Sequence, residues 1–249
     1  MMPRSSAVLT AVAALSFLFP RVPICQAEPV QPATAGWWKL DEGQGTQAAD
    51  ASGIGNNGQL QPGASWGAGQ IAANCLSLPG AATGFVDIPS SVADTSGSYT
   101  VMAWVKIDRL TGRYQTLVSI DGRRVSAFYL QLRNDTGKFA LTVEPEDSTV
   151  PGVVASANSR AEVGRWYHLG GVYDADAKTI TLYLDGVPQG TTAFDSAWKA
   201  SGHTEIGRGK YGGHPVDFAA ASISDVRVYS TALTADVIKS IAGAGGAKN

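Results

Sequence analysis

Thr179-Ile180-Thr181-Leu182-Tyr183-Leu184-Asp185-Gly186-Val187 decides the fold class. Ile180, Leu182 and Leu184 alternate with Thr181 and Tyr183, and a period of two belongs to a strand with one face on a core. Asp185-Gly186 supplies residues that tolerate the backbone of a tight hairpin turn, so the chain folds back into Val187. Working outward, Tyr99-Thr100-Val101-Met102-Ala103-Trp104-Val105-Lys106-Ile107 is apolar on both parities, as expected of a strand in the middle of a sandwich. Short runs rich in β-branched or aromatic residues recur at 85–88, 115–120, 127–132, 139–143, 166–173 and 226–229. Asp121-Gly122 and Asn134-Asp135-Thr136-Gly137 are turn signals between them, so the order strand, turn, strand predicts an antiparallel all-β domain.

Two features break this rhythm. In 221–229, Ile223 lies on one parity and Val226 and Val228 on the other, so a common core needs a change of phase. A bulge near Ser224-Asp225 would provide it and re-aim Asp225. At the end of the chain a short helix is expected: Thr234 caps it, Asp236 sits in its first turn, Leu233 and Ile238 form a hydrophobic staple, and Gly243 stops it.

The chain has 249 residues and a formal net charge of −2, which favours neither nucleic acid nor electrostatic attraction to membranes. Basic residues in 1–4, an apolar run at 7–19 and Cys25-Gln26-Ala27 read as a signal peptide, 1–27, cut before Glu28. Cys25 as a lipoprotein cysteine is the alternative, opposed by the bulk of Ile24. A leader at 28–35, a domain at 36–242 and a flexible tail at 243–249 follow, with no transmembrane segment. The expected location is secreted or periplasmic. Cleavage leaves Cys75 alone, read as a small buried hydrophobe because nothing nearby would depress its pKa.

Chemistry is sparse in the sequence. Gly53-Ile54-Gly55-Asn56-Asn57-Gly58 and Gly207-Arg208-Gly209-Lys210-Tyr211-Gly212 both spell G-x-G-x-x-G, yet neither opens a helix that would cradle a phosphate. Glu144-Pro145-Glu146-Asp147 comes nearest to the paired carboxylates of a glycosidase. Its proline breaks the ladder, so it reads as a solvated loop and no catalytic residue is assigned. His168 reads as a packed, hydrogen-bonded strand residue, and no zinc or serine-triad motif occurs. Arg113, Tyr114, Trp198, Tyr211 and His214 lie in turn-like stretches and offer the aromatic faces and polar groups that a sugar ring needs. Alternatively Trp198 plugs the sandwich edge. Trp38, Trp104 and Trp166 read as core.

Trp38-Lys39-Leu40-Asp41-Glu42, Asp50-x-Ser52-Gly53-x-Gly55-x-x-Gly58, Phe85-Val86-Asp87-Ile88, the strand 99–105, Trp166-Tyr167-His168, Leu182-Tyr183-Leu184-Asp185-Gly186 and 223–233 resemble, in that order, the LamG-like jelly-roll family of concanavalin A-like sandwiches. The resemblance implies two curved antiparallel sheets and a structural calcium ion where the early loop meets the last core strand. Carried over, its ligands fall on Asp50, Asn56, Asn57 and Asp225, while Ser224 departs from the pair of acidic residues that the family often has. Without the resemblance, Asp50, Asn56 and Asn57 read as Asx-turn residues. The function it implies is a lectin-like module that binds a carbohydrate or glycoconjugate non-covalently. A glycan-cleaving enzyme and a module that binds a surface protein are the alternatives.

Overall fold

The computed structural model of the chain describes residues 33–246, so the expected signal peptide and most of the expected leader lie outside the described residues. The hairpin that opened the reading is present. Asp185 and Gly186 take φ of 52° and 76°, the left-handed region that a two-residue turn requires, between the strands Thr179–Leu184 and Val187–Ala193.

In chain order the strands are β1 (Gly36–Trp38), β2 (Gln47–Ala48), β3 (Gly58–Leu60), β4 (Ser65–Ala68), β5 (Asn74–Pro79), β6 (Val86–Ile88), β7 (Tyr99–Ile107), β8 (Gln115–Asp121) and β9 (Ser126–Leu132). They continue with β10 (Phe139–Val143), β11 (Val153–Ser156), β12 (Trp166–Asp174), β13 (Thr179–Leu184), β14 (Val187–Ala193), β15 (Thr204–Ile206), β16 (Gly209–Tyr211), β17 (His214–Val216) and β18 (Ala220–Tyr229). The helix α1 (Ala235–Gly246) closes the chain. One sheet runs β14-β13-β12-β7-β18-β5-β4, with β1 also on β18, and the other runs β11-β10-β9-β8-β15-β6-β3-β2. Every pair of strands within them is antiparallel, and β16 and β17 form a separate hairpin.

The main core lies between the two inner faces, where Trp38, Leu76, Val101, Val105, Phe128, Leu130, Leu141 and Ile180 are fully buried. A smaller cluster of Met102, Val172, Tyr229, Leu233, Ile238 and Ile241 seats α1 on the outer face of the first sheet. Leu233 and Ile238 therefore share one apolar contact surface, as a staple does. Gly243 does not stop the helix, which continues to Gly246, because Gly243 does not take the left-handed conformation that ends a helix.

In β18 the register on β7 shifts between Ser224 and Arg227, and Asp225 takes φ of 52°. Ile223, Val226 and Val228 are all fully buried as a result. The bulge divides one edge of β18 between two partners: β5 pairs with residues 220–223 and β1 with residues 226–228. Cys75 is buried with its thiol directed at the carbonyl of Ala68. Two expectations are corrected. Trp166 is only half-buried, with Lys106 Nζ 5.8 Å from its ring centre. His168 is buried and meets Trp104 edge-on, but neither ring nitrogen has a hydrogen-bond partner, and burial lowers its pKa to about 4.

Candidate functional site

Alternation along the strands of the second sheet sets its outer face. Phe128, Leu130 and Leu132 of β9 enter the core, so Tyr129 and Gln131 point away from it. Phe139, Leu141 and Val143 of β10 do the same, which leaves Thr142 and the following Glu144 on the outer side. Register aligns these positions into one row across seven strands: Val154, Thr142, Tyr129, Ser119, Glu205, Asp87 and Gln59.

The segment 208–217 lies over the middle of this row. Ser119 Oγ donates to the carbonyl of Arg208 at 2.9 Å and Tyr129 OH donates to the carbonyl of Lys210 at 2.6 Å. Arg208 is buried, pairs with Asp121 at 2.9 Å and with Glu205, and lies over the Phe85 ring. The second G-x-G-x-x-G stretch is thus a strap anchored by a buried ion pair.

Between the strap and the loop after β10 is a groove of about 450 Å³, a size that holds a small ligand. Tyr114, Tyr129 and Tyr211 line it with Gln131, Thr142, Glu144 and Asp217. Tyr211 OH reaches across to the carbonyl of Thr149 at 3.2 Å. Gly152 lets the loop approach this closely, since a Cβ there would come within 2.8 Å of Thr142 Cγ2 and 2.9 Å of Glu144 Oε1. Gln131 Nε2 donates to Thr142 Oγ1 at 2.8 Å, while Gln131 Oε1 and Glu144 Oε2 are buried and accept nothing. Burial raises Glu144 to about 7 and Asp217 to about 6, with Arg113 opposing the shift at Asp217.

The solvated loop expected at 144–147 is therefore corrected. The backbone N–H of Glu144 still donates to Ala127 at 3.0 Å, so the strand's alternation carries its side chain into the groove before Pro145 ends the ladder. Asp147 is no free carboxylate either, because it accepts from the amides of Arg123, Arg124 and Val125.

Of the five residues expected to bind ligand, Tyr114 and Tyr211 line the groove. Arg113 lines an adjoining hollow on the far side of Asp217. Trp198 is packed behind the groove, its Nε1 donating to the carbonyl of Glu144 at 3.0 Å, and His214 is exposed on the strap hairpin. Tyr129, Gln131, Thr142, Glu144 and Asp217 were not singled out from the sequence. Polar residues at 129, 131 and 142 alternating with a core stripe were the signal that could have found three of them.

Asp50, Asn56, Asn57 and Asp225 gather at the opposite edge of the fold around β1. Asp50 Oδ1 accepts from the amides of Trp37 and Ser52, and Oδ2 from those of Gly55 and Asn56. Burial opposes ionisation here, yet these hydrogen bonds outweigh it and hold Asp50 below the usual carboxylate range. Asn57 Oδ1 accepts from the Asp50 amide, and Asn56 Oδ1 from Ser90 Oγ. Asp225 accepts from Trp37 Nε1 at 2.7 Å and is held by both Nε and an Nη of Arg227, each at 3.0 Å. As arranged, this set does not fit a calcium ion, which needs several free hard oxygens, because N–H donors occupy every carboxylate oxygen and a guanidinium stands beside one of them.

A model of the Concanavalin A-like lectin/glucanases superfamily, Laminin_G_3, matches residues 80–239. No curated protein matches the sequence. Among solved structures, domain 4 of AbnA, a GH43 extracellular arabinanase from Geobacillus stearothermophilus, in complex with arabinotriose, superposes with a TM-score of 0.69 at 18% identity over 85% of this chain and 99% of that one. Trypanosoma rangeli sialidase in complex with the inhibitor DANA gives 0.64 at 16% identity over 91% of this chain, which spans only 35% of the sialidase. The botulinum neurotoxin serotype G binding domain gives 0.65 at 11% identity, over 84% of this chain and 50% of that one. At such identities the likeness is one of fold.

Proposed function

The chain belongs to the concanavalin A-like lectin/glucanases superfamily, and on that premise we propose that it is an exported module that binds carbohydrate non-covalently in the groove over β8 to β11. The observation that carries the proposal is the pair of buried acceptors, Gln131 Oε1 and Glu144 Oε2, without partners among three tyrosines. Sugar hydroxyls are donors that would satisfy them, and a buried acceptor left bare costs about 1–3 kcal/mol. Tyrosine rings give the apolar face of a pyranose or furanose a surface to lie on. The groove holds no unpaired guanidinium, since Arg133 at its rim is bound to Asp135, which favours neutral over acidic glycans. Arabinotriose bound to a domain of this fold is consistent with such a ligand.

A glycan array read with the wild type, Gln131→Ala and Tyr211→Ala tests this. Binding to neutral glycans that weakens about tenfold in either variant is the expected result, a loss that corresponds to about 1.4 kcal/mol. An array without any glycan hit would overturn the reading and leave the protein-binding module.

Glycan cleavage is the second reading, favoured by one observation: two carboxyls with raised pKa, Glu144 and Asp217, line the same groove. A protonated carboxyl near neutral pH is what general-acid cleavage of a glycosidic bond needs. Products released from polysaccharide by the wild type and not by Glu144→Gln would support hydrolysis over simple binding.

A further inference from the structure

We propose that Asp87, His203 and Glu205 form a binding site for a divalent transition-metal ion, with Zn²⁺ the species that suits their donor set. Glu205 on β15 stands directly opposite Asp87 on β6, and His203 immediately precedes β15. Nδ1 of His203 lies 2.6 Å from Oδ1 of Asp87, and one ligand atom from each of the three residues falls within 4.8 Å of the other two. Carboxylates set directly opposite on one face of a sheet repel each other, so this pair calls for a cation or a proton between them.

Glu205 is the residue that points to a ligand. Its side chain is 0% exposed, one carboxylate oxygen is taken by Arg208, and the other, Oε2, is buried with no hydrogen-bond partner. Because Oε1 is turned to Arg208, Oε2 is the oxygen left for Asp87 and His203. Arg208 is shared between Glu205 and Asp121, Lys210 goes to Asp121 at 3.2 Å, and among the described residues Asp87 forms an ion pair with His203 alone, so no side-chain cation bridges Asp87 and Glu205. His203 is half-exposed, which leaves the trio an open side toward solvent for entry and for a water as fourth ligand. One imidazole with two carboxylates suits Zn²⁺ and its first-row neighbours, whereas calcium and magnesium prefer oxygen alone.

Metal binding would fasten β6 to β15 in the same row of side chains that carries the groove. This site stands independently of the carbohydrate reading.

Titration calorimetry of chelator-stripped, tag-free protein with ZnCl₂ at pH 7.5 tests the site. One Zn²⁺ per chain is expected, as is an affinity at least tenfold weaker in His203→Ala and in Asp87→Asn and unchanged in His214→Ala. Co²⁺ in place of Zn²⁺ supplies a visible absorption band that should vanish in His203→Ala, and circular dichroism shows whether each variant is folded. No binding by the wild type at millimolar Zn²⁺, or an affinity that is undiminished in His203→Ala or lost in His214→Ala, would overturn the proposal.

Discussion

Trp37 Nε1 donates to Asp225 Oδ1 at 2.7 Å, joining residues 188 positions apart. The backbone amide of the same tryptophan donates to Asp50 at 3.0 Å. One residue of β1 therefore holds the glycine-rich loop with its main chain and the bulge of β18 with its side chain. The aspartates that the family resemblance assigns to a shared cation both accept from this tryptophan.

Trp37→Phe should lower the unfolding free energy by about 1.5–3 kcal/mol, since it removes a hydrogen bond to a charged acceptor while keeping a ring for Arg227, whose guanidinium lies 4.6 Å from the ring centre. Denaturant unfolding of the variant measures this. In the same assay neither millimolar calcium nor a calcium chelator should move the wild-type midpoint, because an ion bound only by the folded state would raise it.

Glu144 ties stability to pH in the groove. Its pKa is raised from 4.5 to about 7, so the folded state holds the proton more tightly than the unfolded chain. The stability that this adds is fully present below about pH 4.5 and is lost as pH rises through 7. Glu144→Gln, which cannot ionise, should therefore gain on the wild type between pH 5 and 8 by on the order of 1–2 kcal/mol, after discounting for the open side of the groove. Equal pH slopes for the two proteins in that window would show that Glu144 titrates normally.

His168 works in the opposite direction. Its pKa is lowered from 6.5 to about 4 by burial, with Asp225 opposing and Arg227 adding to the shift, so its neutral form belongs to the fold. Its contribution is complete above pH 6.5 and is lost as pH falls toward 4. His168→Leu removes two unpartnered buried nitrogens and should lose about 2–3 kcal/mol less than the wild type between pH 7 and 4, read by chemical unfolding at each pH.

Gly152→Ala probes the width of the groove. Its new methyl would meet Thr142 and Glu144, so the loop or the Glu144 side chain has to shift by several tenths of an ångström. Glycan affinity should fall about tenfold with a change in stability of about 1 kcal/mol or less, because the strain falls on a surface loop. Unchanged affinity would place the sugar elsewhere.

Much of this molecule was legible in the residues alone. The strand at 179–184, its Asp-Gly turn, the all-β class and the bulge at Ser224-Asp225 follow from alternation and its interruption, which are local and survive without neighbours. The short strands between residues 36 and 79 escaped because runs of two to six residues, three of the five with a glycine among them, carry too few side chains to show a period. Glu144 was misread because the proline after it ends the ladder one residue too late to release it into solvent.

Sequence by itself determined the class of fold and the turns, since those depend on what each residue and its near neighbours can adopt. Only the tertiary structure decided the sites. Register aligned Thr142, Tyr129, Ser119, Glu205 and Asp87 from five strands into one row. The strap at 208–217 then divided that row into a groove and a carboxylate–histidine trio. Neither arrangement has a spacing along the chain, because both are made by hydrogen-bond pairing between strands far apart in sequence, and that pairing also brought Trp37 between Asp50 and Asp225.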